Sequence, residues 1–168
     1  MRAELVLQTI KDLFPIKRPL SIVGPPGGGK TSLVRTASQQ LSIGYIEKHM
    51  PTMLVEDFGI PDMATGDDNF AYKLPDWYPA VGRDDIPDEG IICFDDRNQA
   101  GNDLQKVLAN IEQARTLHGV KMKDGWMVVT TGNRQEDRAG ANRILSHLAN
   151  RETVIELDTH LDLSLIHI

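Results

Sequence analysis

The feature that most constrains the fold of this chain is a glycine-rich segment near its N-terminus, Gly24-Pro25-Pro26-Gly27-Gly28-Gly29-Lys30-Thr31. The segment fits the pattern G-x-x-x-x-G-K-[ST], whose loop joins a strand to a helix and surrounds phosphate oxygens with backbone N–H groups. An apolar stretch precedes it at residues 20–23, and a helix-like stretch follows it at residues 31–41. These flanks favour a phosphate-binding loop over a glycine-rich surface turn that happens to precede Lys-Thr.

The residues of this loop have distinct expected roles. Its glycines allow the close approach of phosphate and the positive φ angles that a Cβ would hinder. Lys30 is expected to reach the β- and γ-phosphates of a nucleotide, and the hydroxyl of Thr31 is expected to hold Mg²⁺. The other residues expected to bind the phosphates are Gly24, Pro25, Pro26, Gly27, Gly28, Gly29 and Ser32.

The composition is that of one globular domain in a reducing compartment. The chain has 168 residues, of which 40% are hydrophobic, and a net charge of −6. This acidic balance disfavours a broad nucleic-acid-binding face, and no apolar run reaches the length of a membrane span. Cys93 lies in an apolar run and is expected to be buried, which fits a cytoplasmic setting. Histidines that lack metal-ligand spacing are expected to be ordinary surface or satisfied residues: His49, His118, His147 and His160.

Strand-like and helix-like segments alternate along the chain. The predicted strands are residues 20–23, 44–46, 90–94, 126–131 and 153–157, and the predicted helices are residues 5–14, 31–41, 104–114 and 138–150. This alternation predicts an α/β fold of the P-loop NTPase type, with a five-stranded, mostly parallel sheet and helices on both faces. Residues 1–162 are expected to form this nucleotide-binding core, with residues 50–89 as an irregular insertion rich in proline and acidic residues.

Two acidic residues directly follow the apolar strand at 90–94. A carboxylate at the end of a buried strand is costly unless it binds something. We therefore expect Asp95 to support the Mg²⁺ ion, and Asp96 to orient and deprotonate the attacking water. The alternative is that both residues cap the next helix, because aspartate at a helix start satisfies free N–H groups.

Polar and basic residues follow the next strand. Asn133 comes after residues 126–131 and could hold the attacking water through its amide, although asparagine is also common in turns after strands. Arginines gather in this part of the chain, at Arg134, Arg138, Arg143 and Arg151. One of them could stabilise transition-state charge in a neighbouring subunit, or they could be surface charges and partners of helix dipoles.

The order of these segments resembles the AAA+ ATPases, and among them the MoxR-like group found in bacterial and phage genomes. Further resemblance to that group lies in Phe58-Gly59-Ile60-Pro61, Leu74-Pro75-Asp76-Trp77-Tyr78-Pro79 and residues 142–151. The resemblance implies an ATPase that assembles into a hexameric ring, with each nucleotide site between two subunits. It implies that Asn133 is the sensor residue and that Arg151 is the arginine finger, with Arg143 as the alternative. It also implies remodelling of a partner protein, often one with a von Willebrand factor A domain.

The sequence departs from this family in two places. The family usually has Asp-Glu after the apolar strand, whereas this chain has Asp95-Asp96. The shorter carboxylate is expected to slow hydrolysis by roughly ten- to a hundredfold. The family also continues beyond the fifth strand into a helical lid. Residues 163–168 resemble the translation of a sequencing adapter, so we expect a non-native tail there, with the lid absent from this chain. The alternative is a genuine short apolar tail.

Several function classes are compatible with these features. The leading interpretation is an ATP-hydrolysing remodelling machine. A nucleotide-gated binding protein with negligible hydrolysis would fit the short Asp96 side chain. A small-molecule kinase is disfavoured because residues 50–89 are acidic, where such kinases carry basic residues for anionic acceptors. A DNA-directed motor is disfavoured by the acidic balance of the chain.

Overall fold

The computed structural model describes residues 1–63, 71–134 and 152–158. The α-helices in these ranges are α1 (Ala3–Leu13), α2 (Lys30–Leu41) and α3 (Asn102–Gln113). The strands are β1 (Leu20–Val23), β2 (Gly44–His49), β3 (Ile60–Asp62), β4 (Ala71–Lys73), β5 (Glu89–Asp95), β6 (Thr116–Leu117), β7 (Val120–Lys121), β8 (Gly125–Gly132) and β9 (Thr153–Glu156). Short 3-10 helices lie at Phe14–Ile16, Met50–Thr52, Val55–Phe58 and Arg97–Gln99.

The central sheet has five strands in the order β2-β5-β8-β1-β9. Each neighbouring pair in this sheet is parallel. The predicted α/β fold with a five-stranded parallel sheet is therefore confirmed. Because the carboxyl ends of parallel strands meet at one edge, the segments that follow β1, β5 and β8 come together there.

The helices cover both faces of this sheet. On β5, Ile91 and Cys93 belong to one buried cluster and Ile92 and Phe94 to the other, as expected for side chains that alternate along a strand. Apolar residues of α1 and α2 complete the first cluster with Val6, Ile10, Val34 and Ala37. Apolar residues of α3 complete the second with Leu104, Leu108 and Ile111. The burial of Cys93 is as predicted, and it raises the pKa of the thiol.

The segment between β2 and β5 carries little regular structure in its described part. It contains two 3-10 helices and the antiparallel hairpin β3–β4. Phe58 and Tyr78 are buried in the α3-side cluster, which anchors the segment to the domain. A small antiparallel hairpin, β6–β7, follows α3.

Two boundaries differ from the sequence predictions, and both affect the site. The second strand extends to His49 rather than ending at residue 46, which places His49 in register with Asp95 of β5. Helix α3 begins at Asn102 with Gly101 as its N-cap. A 3-10 turn at Arg97–Gln99 separates it from the two aspartates, so neither aspartate caps α3.

Several sequence predictions lie outside the described residues. These are the helix at residues 138–150, the arginines Arg138, Arg143 and Arg151, and the tail at residues 163–168. The division into a core at 1–162 and a tail therefore stays a prediction. Within the described ranges, no helix is both long and apolar enough to cross a bilayer.

Candidate active site

The glycine-rich loop connects the end of β1 to the start of α2. Gly27 and Gly29 have φ angles of 71° and 77°, which favour glycine because a Cβ would strain this conformation. Gly29 is the N-cap of α2, so the N–H groups of the first helical turn and the positive end of the helix dipole lie at the loop. The N–H of Gly24 donates to the carbonyl of Gly132 at 3.1 Å, which fixes the loop against β8. Among the predicted phosphate ligands, those exposed to solvent are Pro26, Gly27, Gly29 and Ser32.

The Lys30 side chain lies inside this loop. Lys30 is only 5% exposed, although it begins a helix. Its ammonium donates to the carbonyl oxygens of Pro25 at 2.8 Å and Gly24 at 3.1 Å. It also lies 3.4 Å from Oδ1 of Asn133, which follows β8. The lysine therefore connects the loop to the polar segment that follows β8.

The carboxylate of Asp95 joins the two halves of the predicted site. Its Oδ1 accepts hydrogen bonds from the hydroxyls of Thr31 and Thr131, each at 2.5 Å. Burial raises the pKa of Asp95, but hydrogen bonds from Thr131, Thr31 and His49 outweigh that effect and hold it below its ordinary value. The carboxylate is thus kept ionised beside the Thr31 hydroxyl, and both groups offer the oxygen ligands that Mg²⁺ prefers.

His49 lies next to the other oxygen of the Asp95 carboxylate. Its Nδ1 lies 3.2 Å from Oδ2 of Asp95. His49 is thus half-exposed and has a partner, as expected of a surface or satisfied histidine, but that partner belongs to the predicted site. Its side chain is 48% exposed, but it is part of the site because β2 pairs with β5 up to this residue.

Asp96 adopts a left-handed backbone conformation, with a φ of 53°. Its N–H donates to the hydroxyl of Thr131 at 3.1 Å. Its side chain does not cap the 3-10 turn that follows it, so the capping alternative fails for this residue. Burial, and then the charge of Asp95, raise the pKa of Asp96 above its ordinary value. A raised pKa makes a carboxylate a better proton acceptor.

Asn133 is positioned by a second asparagine. The Nδ2 of Asn98 donates to the carbonyl of Asn133 at 2.8 Å, and the N–H of Asn133 donates to Oδ1 of Asn98 at 3.3 Å. Asn98 is 1% exposed, and it lies in the turn directly after the two aspartates. This double hydrogen bond holds the end of β8 against the end of β5.

The comparison with protein families decides the assignment. Residues 19–151 match the family model for the AAA domain of the dynein-related subfamily. This chain belongs to that AAA family. The matched range begins just before β1 and contains the loop, both aspartates and Asn133.

Solved structures show that the AAA domain shares its fold with known proteins. One is a candidate ATPase from Cytophaga hutchinsonii, with a TM-score of 0.67 and 18% identity over 97% of this chain and 48% of that chain. Another is NtrX from Brucella abortus in complex with ADP, with a TM-score of 0.60 and 16% identity over 92% of this chain and 35% of that chain. The AAA domain thus spans half or less of the length of these proteins. A search of curated proteins finds no significant match.

Of the arginines predicted near the site, the structure of the AAA domain describes Arg134. Its Nε lies 2.6 Å from Oε1 of Glu156, and its Nη2 donates to the carbonyl of Leu157 at 3.0 Å. Arg134 therefore binds the segment at the end of β9 in its own chain, and its side chain is 24% exposed. The preferred finger residue, Arg151, lies outside the described residues.

A buried ion cluster lies beside the aspartates of the AAA domain. Arg97 is 1% exposed; its Nη1 donates to Glu112 of α3 at 3.0 Å and to Glu152, just before β9, at 2.8 Å. Burial raises the pKa of Glu112 to about 8, because the attraction of Arg97 offsets only part of the cost of ionisation and the charge of Glu152 adds to it. Burial also raises the pKa of Glu152. One arginine thus faces two carboxyl groups, and burial favours a proton on one of them.

Sequence reasoning missed Thr131, Asn98 and His49. Thr131 could have been found from its place at the end of a predicted buried strand, since that edge of a parallel sheet carries the site. Asn98 and His49 gave no comparable signal, because their roles depend on which strands are neighbours.

Proposed function

We propose that this AAA domain binds ATP and hydrolyses it with Mg²⁺, as a MoxR-like ATPase that remodels a partner protein. The observation that carries the proposal is the hydrogen bond from the Thr31 hydroxyl to Asp95, at 2.5 Å. It joins the residue that follows the phosphate-loop lysine to the first acid after the buried strand. Two motifs 64 positions apart in the chain are thereby in contact, which supports a shared role in Mg²⁺-dependent ATP hydrolysis.

Phosphate binding would use the loop and Lys30. The ammonium now donates to the carbonyls of Gly24 and Pro25, and phosphate oxygens would compete for those hydrogen bonds. Because Lys30 is buried, its attraction for phosphate would be screened by water less than that of an exposed lysine. The N–H groups of the first turn of α2, which point at the loop, would add further donors.

The metal site would consist of the Thr31 hydroxyl and the Asp95 carboxylate, the latter through water. The fit rests on the donor set, since both groups present oxygen and lie in direct contact. When bound, Mg²⁺ would neutralise negative charge on the phosphates. Thr131 would hold Asp95 in place through its own hydrogen bond to Oδ1.

Hydrolysis would depend on Asp96 and Asn133. Asp96 would accept a proton from water as the water oxygen forms a bond to the γ-phosphorus and the bond to the leaving ADP oxygen breaks. Asn133 would orient that water, and Asn98 would hold Asn133 through two hydrogen bonds. Arg151 of a neighbouring subunit, with Arg143 as the alternative, would stabilise the transition-state charge.

The assembly and the biological role rest on the resemblance to MoxR-like ATPases. The proposed assembly is a hexameric ring in the cytoplasm. The proposed role is to remodel a partner that carries a von Willebrand factor A domain. The ADP complex of NtrX, which shares the fold, supports nucleotide as the ligand. The competing function is a nucleotide-gated binding protein with negligible hydrolysis, which the short Asp96 side chain favours.

The test is phosphate release and nucleotide binding by the wild type, Lys30→Ala and Lys106→Ala. Lys106 is an exposed lysine on α3, paired with Asp103, and serves as the matched control. We expect Lys30→Ala to lose nucleotide binding and phosphate release, and Lys106→Ala to retain both. Binding without measurable phosphate release in the wild type would favour the gated binding protein. Equal binding by wild type and Lys30→Ala would refute the proposed site.

A further inference from the structure

A histidine and two aspartates converge at the carboxyl ends of β2 and β5. In the parallel register of these strands His49 lies opposite Asp95, so both side chains project from the same face of the sheet. One ligand atom from each of His49, Asp95 and Asp96 lies within 4.8 Å of the others. This spacing allows the three atoms to contact a single cation.

The hydrogen bonds of Asp95 divide its two oxygens between different neighbours. Oδ1 accepts from the hydroxyls of Thr31 and Thr131, whereas Oδ2 faces Nδ1 of His49 at 3.2 Å. The hydroxyl bonds fix the carboxylate plane, so Oδ2 is held toward the imidazole. The imidazole is 48% exposed and the Asp95 side chain 19% exposed, so an ion can reach this side of the carboxylate from solvent.

We propose that His49 is a direct ligand of the cation at Asp95 and Asp96, and that the site therefore prefers a first-row transition-metal dication to Mg²⁺. This inference deepens the proposed function, because it rests on Asp95 being the cation site of the nucleotide-binding centre. It concerns the nucleotide-free protein, in which Asp96 has no attacking water to deprotonate and its carboxylate is available as a ligand. The specific residue it adds is His49, which contributes nitrogen to a set of ligands that otherwise consists of oxygen.

The preference follows from the chemistry of the ligand atoms. Neutral imidazole is a good ligand for Co²⁺, Ni²⁺ and Zn²⁺, whereas Mg²⁺ prefers carboxylate, hydroxyl and water oxygens. A mixed set of one imidazole and two carboxylates therefore favours the transition metal. The opposing interpretation is that His49 only orients Asp95, by donating a hydrogen bond to Oδ2. In that case its loss would weaken all cations similarly, because each would bind the same misplaced carboxylate.

The experiment is calorimetric titration of nucleotide-free protein with Co²⁺ and, separately, with Mg²⁺, near neutral pH. The variants are His49→Gln, which keeps a side-chain hydrogen-bond donor but removes the imidazole, and Asp95→Asn. His118→Gln is the matched control, because His118 is an exposed histidine that contacts the carbonyl of Phe58 instead. Circular dichroism checks that each variant is folded.

We expect His49→Gln to weaken Co²⁺ binding by at least about tenfold, as loss of a ligand should cost no less than loss of an outer partner. Mg²⁺ binding should change by less than about threefold, since Mg²⁺ gains little from imidazole. Asp95→Asn should weaken both ions, and His118→Gln should match the wild type. An equal loss of both ions in His49→Gln, no loss of either, or wild-type Co²⁺ binding by Asp95→Asn would overturn the inference. These titrations contain no nucleotide, so they test metal binding alone. The Lys30→Ala experiment tests nucleotide binding and phosphate release, so the failure of one proposal can be told from the failure of the other.

Discussion

Replacing Glu112 by glutamine should change how the stability of this protein depends on pH. Glu112 and Glu152 both contact Arg97, and the three side chains are 5%, 4% and 1% exposed. A single positive charge faces two buried carboxyl groups, so the cluster is neutral only when one of them carries a proton. The pKa of Glu112, raised by burial from its ordinary value of 4.5 to about 8, indicates that this group holds it.

The sign of the effect follows from the number of bound protons. Between about pH 4.5 and about pH 8, the folded protein holds a proton on Glu112 that the unfolded chain releases. Stability from this group is therefore fully present below pH 4.5 and is lost as the pH rises toward 8. The loss is about 1.4 kcal/mol for each pH unit, or roughly 3 to 4 kcal/mol between about pH 5 and about pH 8.

Glutamine is neutral at every pH in this range and can still accept a hydrogen bond from Arg97. The free energy of unfolding of Glu112→Gln should therefore fall less than that of the wild type as the pH rises, by roughly 3 to 4 kcal/mol between about pH 5 and about pH 8. The assay is urea unfolding at several pH values, with the free energy of unfolding plotted against pH. Glu4→Gln is the control, because Glu4 is exposed on α1 and should leave the pH profile unchanged. Parallel profiles for the wild type and Glu112→Gln would refute the protonated cluster.

Two further predictions concern hydrolysis. Asp96→Glu should preserve turnover or raise it by up to about ten- to a hundredfold, because the longer side chain restores the usual reach of the base. A clear loss of steady-state phosphate release in this variant would count against Asp96 as the base. Gly132→Ala should lower turnover by about tenfold or more while retaining nucleotide binding. The new Cβ would lie 2.3 Å from Oδ1 of Asn98, so the Asn98 side chain would have to move and would no longer hold Asn133 in place. The control for the second is Gly101→Ala, whose Cβ meets no atom within 4 Å; equal turnover in the two alanine variants would contradict the role of Asn98.

The sequence predicted the parts of the molecule that depend on local pattern. The glycine-rich loop, the apolar strand before Asp95 and the strand before Asn133 each carry a short-range signal, and all three were placed correctly. Buried parallel strands read as apolar runs because both faces are covered, which is why β5 and β8 were recognisable. The end of β2 is harder to predict, since Glu47 and His49 are exposed and do not continue an apolar run.

What the sequence could not supply was the set of contacts across the sheet. His49 joins the site only because β2 is the neighbour of β5, and Asn98 supports Asn133 only because β8 lies on the other side of β5. Arg97 looks like an ordinary charged residue in a turn, and its burial depends on Glu112 and Glu152, 15 and 55 positions away. A polar residue in a turn is compatible with solvent or with a buried partner, and the one-dimensional pattern does not distinguish them. The order of the strands in the sheet distinguishes the two cases, because it decides which turns meet. Residues that support the site from neighbouring strands can therefore be recognised only in the three-dimensional structure.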